Sequence, residues 1–400
     1  MLSFEQALRA LLEGAVAPLP ERVAVGEADG RVLVRDLLAL SDLPGWDHST
    51  MDGYAVSVVD LVGDGPWILP VEGESRTGHD PPEHRSGTAC RIFTGARIPR
   101  GADAVVIQEQ VVREADTIRL DRRVESGAWI RHRGDDLRAG GIALEAGTRL
   151  SPGHLALAAS ADATSLWVAR RPVVTIVSTG DELRHAGEPA VEGKLPESGS
   201  VAIAAMARRA GAWVRVAPAA PDDLEETRAR IEQASRGTDL LVTIGGVSVG
   251  DHDVVRPALE AAGYGLEFWR VRMKPGKPLA VGRNATARAL CLPGNPTSAQ
   301  VTFALFGMPL LRAMQGDAAP VPPRVCALVD APLKASSDRL EFVRARLDTR
   351  VCPWRVHPLR NQASGATTSM AHADCLAVIS PERGPIAAGS EVEVIRLADL

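Results

Sequence analysis

Nine residues, Gly245 to Asp253 (GGVSVGDHD), carry the densest chemistry in this chain, and an apolar run, Leu240 to Ile244, leads straight into them. Two chemistries fit. Gly246, Ser248 and Gly250 spell G-x-S-x-G, the strand-to-helix elbow that exposes a serine nucleophile in α/β hydrolases. The same glycines free backbone N–H groups to face an anion, and Asp251 and Asp253 offer hard oxygens to a divalent cation. A Walker-A nucleotide loop is excluded, because Asp251-His252 stands where Lys-Ser/Thr is required.

Two further turns end apolar runs in the same way. Thr179-Gly180-Asp181-Glu182 closes one, and Leu292-Pro293-Gly294-Asn295-Pro296 closes another, delivering Thr297 and Ser298 to a helix start. Met273-Lys274-Pro275-Gly276-Lys277-Pro278 precedes the last. Singly, these read as a helix-capping turn, ordinary Pro/Gly turn chemistry and two solvated lysines. Together they supply anion-facing N–H groups, positive charge and several carboxylates, a set that suits a phosphorylated ligand with Mg²⁺. The hydrolase alternative has Asp317 and His357 following Ser248 in chain order. It lacks an upstream HGGG-type oxyanion motif, and Asp251 and Asp253 would oppose an oxyanion beside Ser248. A third group of candidates, around Asp52, Thr94 and Asp136, reads as tight turns when each is taken alone.

These turns need elements to carry them. The chain has 400 residues, 45% of them apolar, more than one hydrophobic core usually holds, so several domains are expected. Its 45 basic and 50 acidic side chains give a formal charge of −5 and are interspersed, which indicates neither nucleic-acid binding nor a basic membrane patch. Ser3-Phe4-Glu5-Gln6 opens an amphipathic helix with a capping box, and Glu5, Arg9 and Glu13 interrupt it too early for a signal peptide. No apolar run reaches the roughly 18 residues of a membrane span, so a soluble, cytoplasmic protein is expected. Cys90, Cys291, Cys326, Cys352 and Cys375 are scattered without metal-site spacing and read as reduced thiols, Cys291 within a core run.

Along the chain, short extended runs broken by Gly, Pro and Asp predict a β-rich region from about Gly45 to Ala139. A helix-like stretch opens at Ser151-Pro152-Gly153, and Arg170-Arg171-Pro172 reads as a hinge into the next domain. Beyond it, apolar strands alternate with helices, the pattern of a doubly wound, mostly parallel α/β sheet, whose ligands sit beyond the carboxyl ends of its strands. From Pro322 to Leu400 extended runs return, predicting a small all-β domain.

In this order, Asp47 to Ala55 (DHSTMDGYA), Thr94 to Glu109, Ser178 to Leu183 (STGDEL), Gly245 to Asp253, Met273 to Pro278 and Leu292 to Pro296 resemble the MoeA family, the molybdopterin molybdenumtransferases, whose relatives include the E domain of gephyrin. The resemblance spans essentially the whole chain. It implies an α/β multidomain subunit: a split first domain at 1–44 and 140–171, a β-rich second domain at 45–139, a doubly wound third domain at 172–320 and a β-barrel-like fourth at 321–400. It also implies an elongated homodimer, with the active cleft between the third domain of one subunit and the second of the other.

The chemistry the resemblance implies is cleavage of adenylylated molybdopterin with Mg²⁺, insertion of molybdenum from molybdate and release of AMP. A molybdopterin adenylyltransferase would be the upstream partner. By matching positions, Asp181, Glu182, Asp251 and Asp253 fall near metal and phosphates, and Lys274 and Lys277 on phosphate or molybdate charge. Thr179, Gly180, Gly245, Gly246, Ser248, Gly250, Pro293, Gly294 and Asn295 would contact the ligand, joined by Ser369 from the fourth domain. Asp52, Thr94 and Asp136 would come from the partner subunit. A non-catalytic scaffold of the same fold is the other alternative, though none of these acids and lysines is missing. The chain departs from the family where an Asp-Ser-Asn turn usually follows the TGDEL helix: here Glu197-Ser198-Gly199 stands, which puts ligand contact or helix capping at that turn in doubt. Thr50 replaces a more usual Ala.

Overall fold

Ser3 and Gln6 close the expected capping box, Gln6 N–H donating to Ser3 Oγ at 3.1 Å and Ser3 N–H to Gln6 Oε1 at 3.0 Å, and the helix Phe4–Glu13 follows. The computed structural model describes the chain except residues 14, 16–18, 248–253 and 335–337, and the side chain at 269. The helix buries Phe4, Ala7, Leu8 and Leu11. Phe4 meets Phe306 and Phe342 at ring-centroid distances of 5.1 Å each. Packing therefore places this helix with the α/β and C-terminal units, apart from the remainder of segment 1–44.

That remainder pairs with a distant stretch. Pro20–Ala24 runs antiparallel to Ser165–Ala169, and Leu37–Leu38 antiparallel to Ile142–Leu144. Leu33, Leu144, Leu150, Leu166 and Val168 bury one small core between them. The intervening chain forms a six-stranded sheet in the order Ala104–Ile107, Gly53–Val56, Ala89–Ile92, Trp67–Ser75, Thr117–Leu120, Val111–Glu114.

The α/β unit holds six strands: β1 (Val173–Ser178), β2 (Trp213–Val216), β3 (Leu240–Ile244), β4 (Gly265–Trp269), β5 (Ala280–Arg283) and β6 (Arg288–Leu292). Their spatial order is β2-β1-β3-β6-β5-β4. The first four are mutually parallel, β5 runs antiparallel to β6, and β4 runs antiparallel to β5, a mostly parallel sheet as expected. All five residues of β3, LLVTI, are buried, the mark of a strand covered on both faces. Helices Gly199–Arg209 and Pro296–Thr302 pack with Val174, Ile176, Val242 and Leu292 on one face. Leu224–Ser235 and Val255–Ala261 cover the other with Val177, Leu241 and Cys291. Each such buried Leu or Ile contributes about 2 kcal/mol over leaving it in water.

Arg170-Arg171-Pro172 is a pinned joint rather than a loose hinge. Arg170 donates twice to Asp239, at 2.8 and 2.9 Å, and Asp239 also accepts from Val173 N–H at 2.6 Å. Past β1, Thr179–Glu182 opens no helix. Leu183–Arg184 instead runs parallel to Leu195–Pro196, so residues 183–196 form a tab with paired feet.

The C-terminal strands close on themselves. Leu340–Asp348 pairs with Arg355–Pro358, then Val325–Val329, Glu391–Arg396 and Cys375–Ile379 follow, and the last returns to Leu340–Asp348. This five-stranded barrel is filled by Val329, Val343, Ala345, Val356, Ile379 and Val392. Met273–Lys274 adds to its rim beside Leu340 and Glu341, so the lysine run bridges the barrel and the α/β sheet. None of the five cysteines forms a disulfide. Burial pushes the Cys90 thiol up to about 11 and that of Cys375 to about 12, which leaves both inert at neutral pH.

Candidate functional site at the strand ends

Four turns meet beyond the carboxyl ends of β1, β2, β3 and β6, and the backbone stitches them together. Thr179 N–H donates to Ile244 O at 2.9 Å, Gly245 N–H to Leu292 O at 3.1 Å and Gly180 N–H to Ala220 O at 3.1 Å. Turn lies directly on turn. A Cβ on Gly245, whose φ is +98°, would fall 2.6 Å from Thr179 O, and one on Gly294 would stand 3.4 Å from Gly245 Cα. At 245 only glycine permits that approach, so this position is first a packing requirement and then part of a ligand surface.

The turns wall a cleft of 560 Å³ whose lining includes Thr179, Gly180, Glu182, Asp222, Gly245, Gly246, Pro293, Gly294 and Asn295. A second cleft of 470 Å³ shares Pro278, Pro293 and Asn295 with it, and adds Lys274, Lys277, Ser298, Arg339, Glu341 and Ser364. The two form one groove, with glycines and carboxylates at one end and cations at the other. Lys274 Nζ lies 3.3 Å from the nearly buried Glu341 carboxylate. Lys277 is exposed, and no hydrogen bond or ion pair engages its ammonium group among the described residues.

Asp222 was legible in the sequence only as a helix start. Asp223 takes that capping role, accepting from Glu226 N–H at 2.9 Å, and this frees Asp222 to face the cleft. Asp181, which the resemblance places near the metal, exchanges bonds with Asp222: each carboxylate accepts the other's N–H at 3.3 Å. Its carbonyl takes a hydrogen bond from Lys194.

Arg344 was also missed. It is 1% exposed, and its Nη2 donates to the carbonyls of Asn361 and Ala363 at 3.2 Å, which holds the loop that carries Ser364 to the groove. Burial pushes its pKa down. An Arg within the otherwise apolar FVRA stretch of this strand was the available signal. Ser369 is buried and donates to Ala366 O at 2.7 Å; Ser364, from the same run, is the serine that lines the groove.

The β-rich unit assembles a smaller pair. Asp52 Oδ1 accepts from both Thr94 N–H and Thr94 Oγ, each at 2.8 Å, and these bonds, the backbone one foremost, hold its pKa below the usual carboxylate range. Asp136 does not join them; it pairs with Arg131. Ser248, Gly250, Asp251 and Asp253 lie outside the described residues. The proposed relay for a serine nucleophile is not assembled: Asp317 is bonded to Arg149 at 2.9 Å and His357 to Asp330 at 2.9 Å.

Among the described residues no group of three His, Cys, Asp or Glu gathers as a metal cage. Magnesium is commonly held by one or two carboxylates with water and substrate phosphates completing the shell. Glu182 and Asp222, both on the cleft wall, fit that donor chemistry. No helix among the described residues is long and apolar enough to cross a membrane.

Fold and groove define a multidomain α/β protein with a cleft at the carboxyl ends of parallel strands, where sheets of this kind bind their ligands. Comparison narrows the class. Residues 2–161 match the MoeA N-terminal region (domain I and II), 175–313 a probable molybdopterin binding domain, and 327–397 the MoeA C-terminal region (domain IV). The chain is 37% identical to molybdopterin molybdenumtransferase of Synechococcus elongatus, over 98% of this chain and 99% of that one. It is 34% identical to that of Haemophilus influenzae, over 98% of each. A crystal structure of the molybdopterin biosynthesis MoeA protein from Pyrococcus horikoshii superposes with a TM-score of 0.86 at 27% identity, covering 99% of this chain and 100% of that one. The chain belongs to the molybdopterin molybdenumtransferase (MoeA) family and is a transferase of molybdenum cofactor biosynthesis.

Proposed function

We propose that the groove binds adenylylated molybdopterin and molybdate, cleaves the adenylate in a Mg²⁺-dependent reaction and releases AMP as molybdenum is inserted. The observation that carries this reading is the continuity of the two clefts through Pro278, Pro293 and Asn295. One end offers N–H-rich glycine turns and carboxylates, the other Lys274, Lys277 and Ser298, so a phosphoanhydride and an oxyanion can lie side by side. Glu182 and Asp222 would hold Mg²⁺, which when bound neutralises phosphate charge. Lys277 stabilises negative charge on the oxyanion, and Lys274, already balanced by Glu341, sets the local potential. The glycine turns orient the phosphates through their backbone N–H groups.

In this reading a second copy of the chain supplies Asp52, Thr94 and Asp136 across the groove, as a homodimer, and a molybdopterin adenylyltransferase delivers the substrate. The test is to incubate the protein with adenylylated molybdopterin, molybdate and Mg²⁺ and to follow AMP. AMP release that requires both molybdate and Mg²⁺ supports the proposal; ligand binding without AMP above background would instead favour a scaffold.

A further inference from the structure

The Glu197-Ser198-Gly199 turn is the sequence departure that the groove chemistry leaves unexplained. Glu197 begins at the foot of the tab, its N–H donating to Arg184 O at 2.8 Å. Its carboxylate then gathers three donors. Oε1 accepts from Ser200 N–H at 2.8 Å and from Ser178 Oγ at 3.1 Å, and Oε2 accepts from Ser200 Oγ at 2.5 Å. Ser178 is the last residue of β1, immediately before Thr179-Gly180. Ser198, at the start of the helix Gly199–Arg209, makes no side-chain cap bond, so Glu197 supplies the cap and places negative charge at the helix N-terminus.

One carboxylate thus ties the end of β1, the tab and the helix start together. It also stands between two spaces, lining both the strand-end cleft and a neighbouring cavity of 570 Å³ on the other side of the tab. Gly199 makes this possible. A Cβ there would lie 3.1 Å from Glu197 Oε1 and 3.2 and 3.3 Å from the Cγ2 and Cδ1 atoms of Ile244, the last residue of β3 before Gly245. A side chain at 199 crowds the carboxylate that fixes one ligand turn and the Ile244 side chain at the end of the strand that carries another.

We propose that Glu197 is a positioning residue for the transferase reaction, acting through Ser178 on the Thr179–Glu182 turn, and that Gly199 is the space its longer side chain requires. The inference rests on the strand-end cleft as the pterin site, and it is independent of Mg²⁺ or AMP release. A carboxylate that only capped the helix would change stability and leave ligand affinity per folded molecule alone. A positioning residue shifts KM.

The experiment measures direct pterin binding, molybdenum insertion and melting temperature for Glu197→Gln, Glu197→Asp, Gly199→Ala and the double variant Glu197→Asp/Gly199→Ala. Gly199→Ala is expected to raise KM for the pterin substrate about 10-fold, with kcat changed by less than about 3-fold, the signature of misplaced binding groups. Glu197→Gln, which loses an acceptor, should raise KM about 5-fold. The double variant should bind better than Gly199→Ala alone, because the shorter acid vacates the space the methyl needs, a non-additivity expected of side chains in contact. Unchanged KM in both Gly199→Ala and Glu197→Gln, with only melting temperature lowered, would overturn the proposal, as would strictly additive effects in the double variant. If wild type binds pterin but releases no AMP, the function proposed above fails while these affinity comparisons still decide the role of Glu197.

Discussion

The two ends of the central sheet are built from the same strands and treat charge in opposite ways. At the amino ends every prominent charge is matched. Arg170 and Asp239 pair through two bonds, and Arg288, 4% exposed, bonds Glu267 at 2.7 Å and the Leu11 carbonyl at 2.8 Å. At the carboxyl ends glycines replace side chains, the carboxylate of Glu182 has no bonded partner among the described residues, and Lys277 stands free of ion pairs there. A sheet that only needed stability would be sealed at both ends. In the function proposed above, the unmatched end is the one open to a ligand that brings its own charge.

Variants can separate the two ends. The largest expected effect is at the open end: Lys277→Ala should lower kcat/KM for molybdenum insertion about 100-fold, near 2.7 kcal/mol, while the unfolding midpoint stays unchanged. Asp239→Ala should do the reverse. It strips Arg170 and Val173 N–H of their acceptor and should cost about 2 kcal/mol in denaturant unfolding, with turnover per folded molecule retained. Loss of activity in Asp239→Ala at full stability would erase the distinction between the ends.

The same pair carries a pH signature. Burial tends to raise the Asp239 pKa, but the Arg170 hydrogen bonds, the Val173 N–H and the Arg170 charge outweigh it, and the net shift is downward. Its contribution is therefore complete above the unfolded-state pKa, about 3.9, and is lost as pH falls through the lower folded value. The stability gap between wild type and Asp239→Ala should be constant from neutral pH to about pH 5 and close below pH 4. A gap that narrowed between pH 8 and 6 would contradict the assignment. The smallest effect belongs to the β-rich pair. Thr94→Val removes the hydroxyl bond and keeps the backbone one, so the Asp52 pKa should move up toward its ordinary value in a carboxyl NMR titration; an unmoved pKa would show that Oγ contributes nothing.

Much of this architecture was legible because it depends on local pattern. The apolar LLVTI run reads as a buried strand, and the glycines at 245 and 246 read as the turn that ends it. The all-β character of the C-terminal domain followed from its extended runs and its barrel form from the family resemblance, whereas closure of Cys375–Ile379 onto Leu340–Asp348 is a tertiary event. What escaped was set by long-range contact. Asp222 joins the site only because Ala220 pairs with Ser178 and Gly180 across the sheet edge, and because Asp223 relieves it of capping. The N-terminal helix showed its apolar face but not what would cover it, which is Phe306 and Phe342, some 300 residues away in the chain. The TGDEL segment looked like a helix start, and parallel pairing of Leu183–Arg184 with Leu195–Pro196 won instead.

The most direct measurement is a crystal structure with molybdopterin bound. The pterin phosphate should contact the N–H groups of the Gly245 and Pro293–Asn295 turns, with its dithiolene sulfurs directed toward Lys277 and Ser298. A ligand seated elsewhere, with these turns untouched, would contradict the central claim that the open end of the sheet is the site of molybdenum insertion.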